Sequence, residues 1–339
     1  MVKFENLYRS YRLASRAKHD KKEIVKFETN LSQSIWKLIE ELDKGTYKPS
    51  NYRKFNIYEP KEREIQALPF SDRVVQHCLC DNILRGYFEN YLIYDNAACR
   101  VGKGTHFAMD RLTYFLREYY RKYGSQGYIL KYDIYHFFHS IDHEVLKEKL
   151  SNFPDQRVRK MLYDIVDSYD RREDGCIGKG IPMGNQTSQW FALYYLDPMD
   201  RLIKEKWRVK YYVRYMDDGV LVHESKEYLQ EVLKSMKALA KELKLEFNSK
   251  TQIFPLKQGV DFLGFRFYLT DTGKVVKRLR TSNKKRWKRR LKKFQREYKE
   301  GNKNLEEILK SLNSYSGHLS HGHTYKLRKH VYSNFLLRK

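Results

Sequence analysis

Cysteine is scarce in this chain of 339 residues. Cys78, Cys80, Cys99 and Cys176 give no disulfide framework at this length, so a reducing cytoplasm is the expected compartment. His77, Cys78 and Cys80 lie close together but lack the paired spacing of a zinc site. No apolar run is long enough to span a bilayer, no lipidation signal is present, and Met1-Val-Lys-Phe-Glu-Asn lacks the apolar core of a signal peptide. These absences argue against a membrane or secreted protein. There is also no internal repeat, Gly/Ser linker or low-complexity stretch, so subdomains of one unit are expected rather than separate beads. Acidic residues are too few: 42 face 67 lysines and arginines, giving a net charge of +25 and a pI near 9.6. A polyanionic partner is the simplest reason for such self-repulsion, and with the membrane set aside that partner is nucleic acid.

What is present centres on Tyr215-Met216-Asp217-Asp218, inside Lys210-Tyr-Tyr-Val-Arg-Tyr-Met-Asp-Asp-Gly-Val-Leu-Val222. Valine, tyrosine and leucine favour strands, and Asp217-Asp218-Gly219 reads as the turn of a hairpin. Adjacent carboxylates repel, and a divalent cation is the usual compensation; an ordinary Asp-Gly turn is the other reading. The tetrapeptide alone leaves both open. A second strand, within Tyr128-Ile-Leu-Lys-Tyr-Asp-Ile-Tyr-His-Phe-Phe-His-Ser-Ile141, delivers Asp133. Asp142 then N-caps a helix. Together Asp133, Asp217 and Asp218 make a three-carboxylate set suited to Mg²⁺, and two such ions can drive an in-line phosphoryl displacement.

With these residues in order the chain resembles a reverse transcriptase. Seven segments carry the resemblance: Pro60–His77, Ala98–His106, Tyr128–Ile141, Gly180–Gln189, Tyr215–Asp218, Leu243–Thr251 and Phe262–Phe267. The resemblance implies an α+β right-hand polymerase with an antiparallel palm sheet. Its expected parts are an N-terminal helical segment (1–46), fingers (47–126), palm (127–272) and a basic helical thumb (273–339). It also implies RNA-directed DNA synthesis with Mg²⁺, which Mn²⁺ could replace. Asp133, Asp217 and Asp218 are the implied catalytic ligands, joined by the backbone of Ile134. Arg63, Met183, Gln189 and Lys250 are expected at the nucleotide, with Phe138 as the gate against a 2′-hydroxyl and Phe137 in the core. Phe262, Leu263 and Gly264 match the primer grip. Arg63 could instead pair with Glu62 or Glu64 at the surface, and Arg73 could buttress the fingers.

The subfamily is read from finer marks. Pro182-Met183-Gly184 followed by Ser188-Gln189, and the later Tyr315-Ser-Gly-His318, resemble the enzymes of diversity-generating retroelements, which miscopy template adenines. A thioether at Met183 removes an amide's hydrogen-bonding groups beside the nucleotide, which fits a loose clamp; plain packing is the other reading of that residue. Retron or group II intron-like enzymes of ordinary fidelity share the palm, but Ser188-Gln189 and the lack of a Cys/His-rich endonuclease segment argue against them. A non-catalytic RNA-binding scaffold sits poorly with three intact carboxylates. The resemblance implies a template-repeat RNA, an RNA/cDNA duplex, dNTPs and a small basic helical accessory protein as partners, in a bacterial or phage-encoded cytoplasmic system.

Helical spacing predicts a helix with Leu31, Ile35, Leu38, Ile39 and Leu42 on one face, ended by Gly45, a strand over Tyr52–Tyr58 and a helix from about Ser71 to Phe88. Between Lys274 and Arg296 there are 13 basic residues and no acid, with Trp287, Leu291, Phe294 and Tyr298 at helical spacing. One face can pack while Lys285, Arg286, Arg289 and Arg290 meet phosphates. Arg100 and Lys103, around the Gly102–Gly104 turn, are further candidates for template backbone; the spacing there is not that of a nucleotide P-loop.

Overall fold

The computed structural model describes residues 3–58, 62–169 and 177–338. Cys176 and the Pro60-Lys61 start of the first matching segment therefore lie outside the described residues.

Three amphipathic helices, Phe4–Ser15, Lys22–Thr29 and Leu31–Asp43, open the chain. Leu7, Ile24 and Ile35 pack with Val74 and Val75 of the helix Phe70–Leu79 in one small core. The third helix ends as its sequence predicts, with Gly45 in the left-handed region at φ +67°. Strands β1 (Arg53–Ile57) and β2 (Arg63–Ala67) form a separate antiparallel hairpin. Phe70–Leu79 runs on through a π turn at Cys80–Leu84 into Arg85–Glu89, so the helix expected over 71–88 is one rod with a wide turn in it.

The centre is a four-stranded antiparallel sheet built from β3 (Tyr128–Tyr132), β4 (Tyr211–Tyr215), β5 (Asp218–His223) and β6 (Gln252–Pro255), in the order β4-β5-β3-β6. Strand alternation sends its side chains into two different cores. Leu130, Tyr132, Tyr212 and Leu221 face the helices Gln156–Asp167, Gln186–Tyr195 and Lys226–Glu242. Ile129, Val213, Val220 and Val222 face the helix Thr105–Tyr123 and a second sheet. That sheet is β7 (Val260–Phe262), β8 (Phe265–Leu269) and β9 (Val275–Leu279). With both faces covered, the open end of the sheet is the place left for chemistry.

Three helices close the chain: Thr281–Lys299, Leu305–Ser320 and Tyr325–Ser333. Trp287, Leu291 and Phe294 are buried with Ile308, Leu319 and Val331, as the helical spacing predicts. No helix of the described residues is long and apolar enough to cross a membrane.

Candidate active site

The pairing of β3 with β5 decides where the carboxylates lie. Tyr132 is paired with Gly219, so Asp133 and Asp218 follow at the same end of adjacent strands. Tyr215 pairs with Asp218, which makes Met216-Asp217 the two-residue hairpin turn. This corrects the turn expected at Asp217-Asp218-Gly219. Gly219 is a strand residue, kept small because a Cβ there would fall inside the Tyr132 ring. The left-handed turn position is taken by Met216 at φ +55°, without a glycine.

Burial raises the Asp217 carboxyl to about 6, with the charges of Asp133 and Asp218 adding to it and Arg214 opposing. Asp218 is also raised, by burial first; Lys131 opposes the shift and Asp133 adds to it. The three acids thus repel one another. The donors are hard oxygens, which suit Mg²⁺ or Mn²⁺. Among the described residues no three acidic, histidine or cysteine side chains already converge as a metal cage. Asp218 is engaged instead: its carboxylate accepts a hydrogen bond from the Lys131 ammonium.

Behind the hairpin lies a polar network the sequence reading missed. Arg214 and Asp200 are both fully buried. Arg214 donates from Nε to Asp200 Oδ1 at 2.7 Å and from Nη2 to Oδ2 at 2.5 Å, while Nη1 donates to the Met216 carbonyl at 2.7 Å. The Tyr212 hydroxyl donates to the same Asp200 at 2.6 Å and lies 2.6 Å from the Tyr132 hydroxyl. Burial lowers the Arg214 pKa, and the Asp200 charge more than reverses this, so the guanidinium stays charged. A charged residue inside an apolar strand, Arg214 between Val213 and Tyr215, was the available signal.

The other expected site residues divide. Main-chain bonds fix the chain on both sides of Ile134: Asn248 donates to the Asp133 carbonyl and Tyr135 to that of Glu246, each at 2.8 Å. Phe137 is buried, as expected, and Phe138 is half-buried with its ring 5.9 Å from it. Met183 is half-buried in the loop before Gln186–Tyr195. Gln189 accepts a hydrogen bond from the Cys99 thiol. Lys250 is exposed beside an Asn248 turn. Arg63 heads β2, and its side chain lies outside what is described.

Phe262 is buried, so only the Leu263-Gly264 tip of the β7–β8 hairpin faces outward; it is tied to the next helix by Asn283, whose amide donates to the Gly264 carbonyl at 3.1 Å. Lys285, Arg286, Arg289 and Arg290 are all exposed on Thr281–Lys299. Arg100 and Lys103 are both engaged with their own loop. Arg100 donates to the carbonyls of Ile93 (2.7 Å) and Asn96 (3.4 Å), and Lys103 to that of Tyr94 with its ammonium over the Tyr94 ring. Burial lowers the Lys103 pKa to about 8. Both cations brace their own loop, because carbonyls left bare by its turns need donors. Arg73 pairs with Glu23 at 2.8 Å, which ties the helix Lys22–Thr29 to the helix Phe70–Leu79. Cys78 and Cys80 are buried thiols whose pKa values burial raises.

Solved structures carry the same fold. The apo telomerase of Candida tropicalis, truncated from its C-terminal domain, matches at TM-score 0.50 and 13% identity, covering 72% of this chain and 60% of its own. The telomerase of Candida albicans in complex with a fragment of telomeric RNA matches at TM-score 0.50 and 13% identity, over 72% of this chain and 50% of its own. The chain thus spans about half to three fifths of those telomerases. No curated protein matches by sequence. The family described as reverse transcriptase (RNA-dependent DNA polymerase) matches residues 48–267, from the β1–β2 hairpin through both carboxylate-bearing strands to β8. With an antiparallel palm-like sheet and the family match extending over more than half of its length, the chain belongs to the reverse transcriptase family.

Proposed function

We propose that this enzyme copies a template-repeat RNA into cDNA with frequent errors at template adenines, as part of a diversity-generating retroelement. The observation that carries the polymerase reading is the meeting of Asp133 with Asp217 and Asp218 at one open sheet end. In this reading β1–β2 and the helices around it are fingers, the four-stranded sheet is palm, and the three C-terminal helices are thumb. Asp133, Asp217 and Asp218, with the Ile134 backbone, would hold the Mg²⁺ such an enzyme uses. Bound Mg²⁺ supplies Lewis acidity that activates the primer 3′-hydroxyl and stabilises the departing pyrophosphate.

The chain's own residues do the rest. Phe138, half-buried after the Asp133 bend, presents a ring edge against a 2′-hydroxyl. Arg63 and Lys250 meet the triphosphate. The Leu263-Gly264 tip steadies the primer end, and the exposed cations of Thr281–Lys299 follow the duplex backbone without reading its sequence. The low-fidelity reading is supported by Met183, a half-buried thioether, and by Gln189, whose amide oxygen is occupied by Cys99. Neither side chain then fixes the base pair by a strong hydrogen bond. A template-repeat RNA and a small basic accessory protein complete the proposed system.

Sequencing cDNA made on a four-base RNA template tests the low-fidelity reading. Errors concentrated opposite template adenines, reduced in Met183→Gln, are the expected result. Accurate cDNA from the unaltered enzyme would move the assignment to a retron or intron-type reverse transcriptase.

A further inference from the structure

Lys131 contacts the carboxylate cluster, and the proposed mechanism gives it no role. It is the penultimate residue of β3, and its partner Val220 stands two residues from Asp218 on β5, so strand alternation puts Lys131 and Asp218 on the same face of the sheet. Its register partners are Val220 on β5 and Gln252 on β6. From there the ammonium bonds Asp218 and lies 5.3 Å from the centre of the Phe262 ring. It is therefore held between the metal-binding acids and the base of the β7–β8 hairpin. Its side chain is only 18% exposed, so water screens this contact poorly.

We propose that Lys131 is a positioning residue that serves as an internal counter-cation: it holds Asp218 in the metal-free enzyme and must release it before the second divalent ion is bound. The inference rests on the reading of Asp133, Asp217 and Asp218 as the metal ligands. Without Lys131, three like charges would meet in a poorly solvated space. With it, one of them is neutralised, and the acids are not drawn into a finished cage. An ammonium and a divalent ion draw on the same carboxylate, so each weakens the other. The cluster consequently binds metal weakly when empty. An incoming triphosphate brings negative charge of its own and shifts the competition toward the metal. Metal loading is in this way coupled to nucleotide arrival, and Lys131 is left over the Phe262 ring, beside the primer-grip hairpin.

The test is Mn²⁺ binding to the full-length protein without nucleic acid or nucleotide, followed by the paramagnetic resonance signal of free Mn²⁺. Mn²⁺ is the probe because it shares the oxygen-ligand chemistry of Mg²⁺. Wild type, Lys131→Met, Lys131→Arg and Asp217→Asn are compared, with Lys131→Gln as a second neutral variant in case the methionine form fails to fold. The neutral variants are expected to bind Mn²⁺ on the order of tenfold more tightly than wild type, and Lys131→Arg close to wild type. Metal should also raise the melting temperature of the neutral variants more than that of wild type. A merely structural lysine would lower stability without tightening metal binding, and that outcome overturns the proposal. So does an arginine variant that binds as tightly as the neutral ones. The parent reading fails separately: Asp217→Asn that binds Mn²⁺ as well as wild type would remove the carboxylates from the metal site altogether.

Discussion

Arg214 clamps Asp200 with two hydrogen bonds and reaches the carbonyl of Met216 with a third, so a fully buried ion pair supports the left-handed turn that carries Asp217. Removing one partner of such a pair leaves a buried charge uncompensated, at about 3–5 kcal/mol. Asp200→Asn and Arg214→Met are each expected to destabilise the protein by about that much. Combining Arg214→Met with Asp200→Asn should cost much less than the sum of the single changes. Urea denaturation of the four proteins checks this; additive losses would mean the two residues do not act as a pair.

Gly219 is held small by the Tyr132 ring, not by the turn. Gly219→Ala should therefore lose about 1–3 kcal/mol through overpacking and displace Asp218, its chain neighbour. Thermal melts with and without Mg²⁺ measure both effects. An alanine variant with unchanged stability would place the tight contact elsewhere.

Titration of Asp217 gives a pH dependence with a definite sign. Its folded-state pKa, about 6, lies above the ordinary aspartate value. The unfolded chain therefore loses its proton first as pH rises, and the site destabilises the metal-free protein progressively from about pH 4 to about pH 6. The penalty persists above that range until metal offsets it. The difference in melting temperature between wild type and Asp217→Asn, measured in chelator, should grow across this window in favour of the asparagine protein, and Mg²⁺ should shrink it. A difference independent of pH would contradict the raised pKa.

Surface cations and loop-bracing cations should behave differently. Arg289→Ala removes an exposed charge from Thr281–Lys299 and is expected to lower the slope of log affinity against log salt by about 1. Arg100→Ala should leave that slope unchanged and cost about 1–3 kcal/mol of stability, since its guanidinium serves the carbonyls of Ile93 and Asn96. Duplex binding across a salt series, with parallel melts, separates the two.

The sequence carried three of the four strands of the central sheet (β3, β4 and β5), the N-cap at Asp142, the Leu31–Asp43 helix and the packed stripe of the basic helix, because each follows from local periodicity and end signals. The structure has Asp142 accepting from the Glu144 and Val145 amides. What it did not carry depends on residues far apart in the chain. The turn moved to Met216-Asp217 because Tyr132, some eighty positions away, claims Gly219. The first two helices, Phe4–Ser15 and Lys22–Thr29, went unseen because their buried residues are sparse among charged ones. Lys131 was hidden in a strand motif that reads as apolar.

The most direct test of the whole account is primer extension on an RNA template with dNTPs, comparing wild type with Asp217→Asn in Mg²⁺ and in chelator. Metal-dependent cDNA from wild type, with none from an Asp217→Asn protein that still binds the RNA, is the predicted result. Undiminished synthesis by the asparagine variant would contradict the site assigned to Asp133, Asp217 and Asp218.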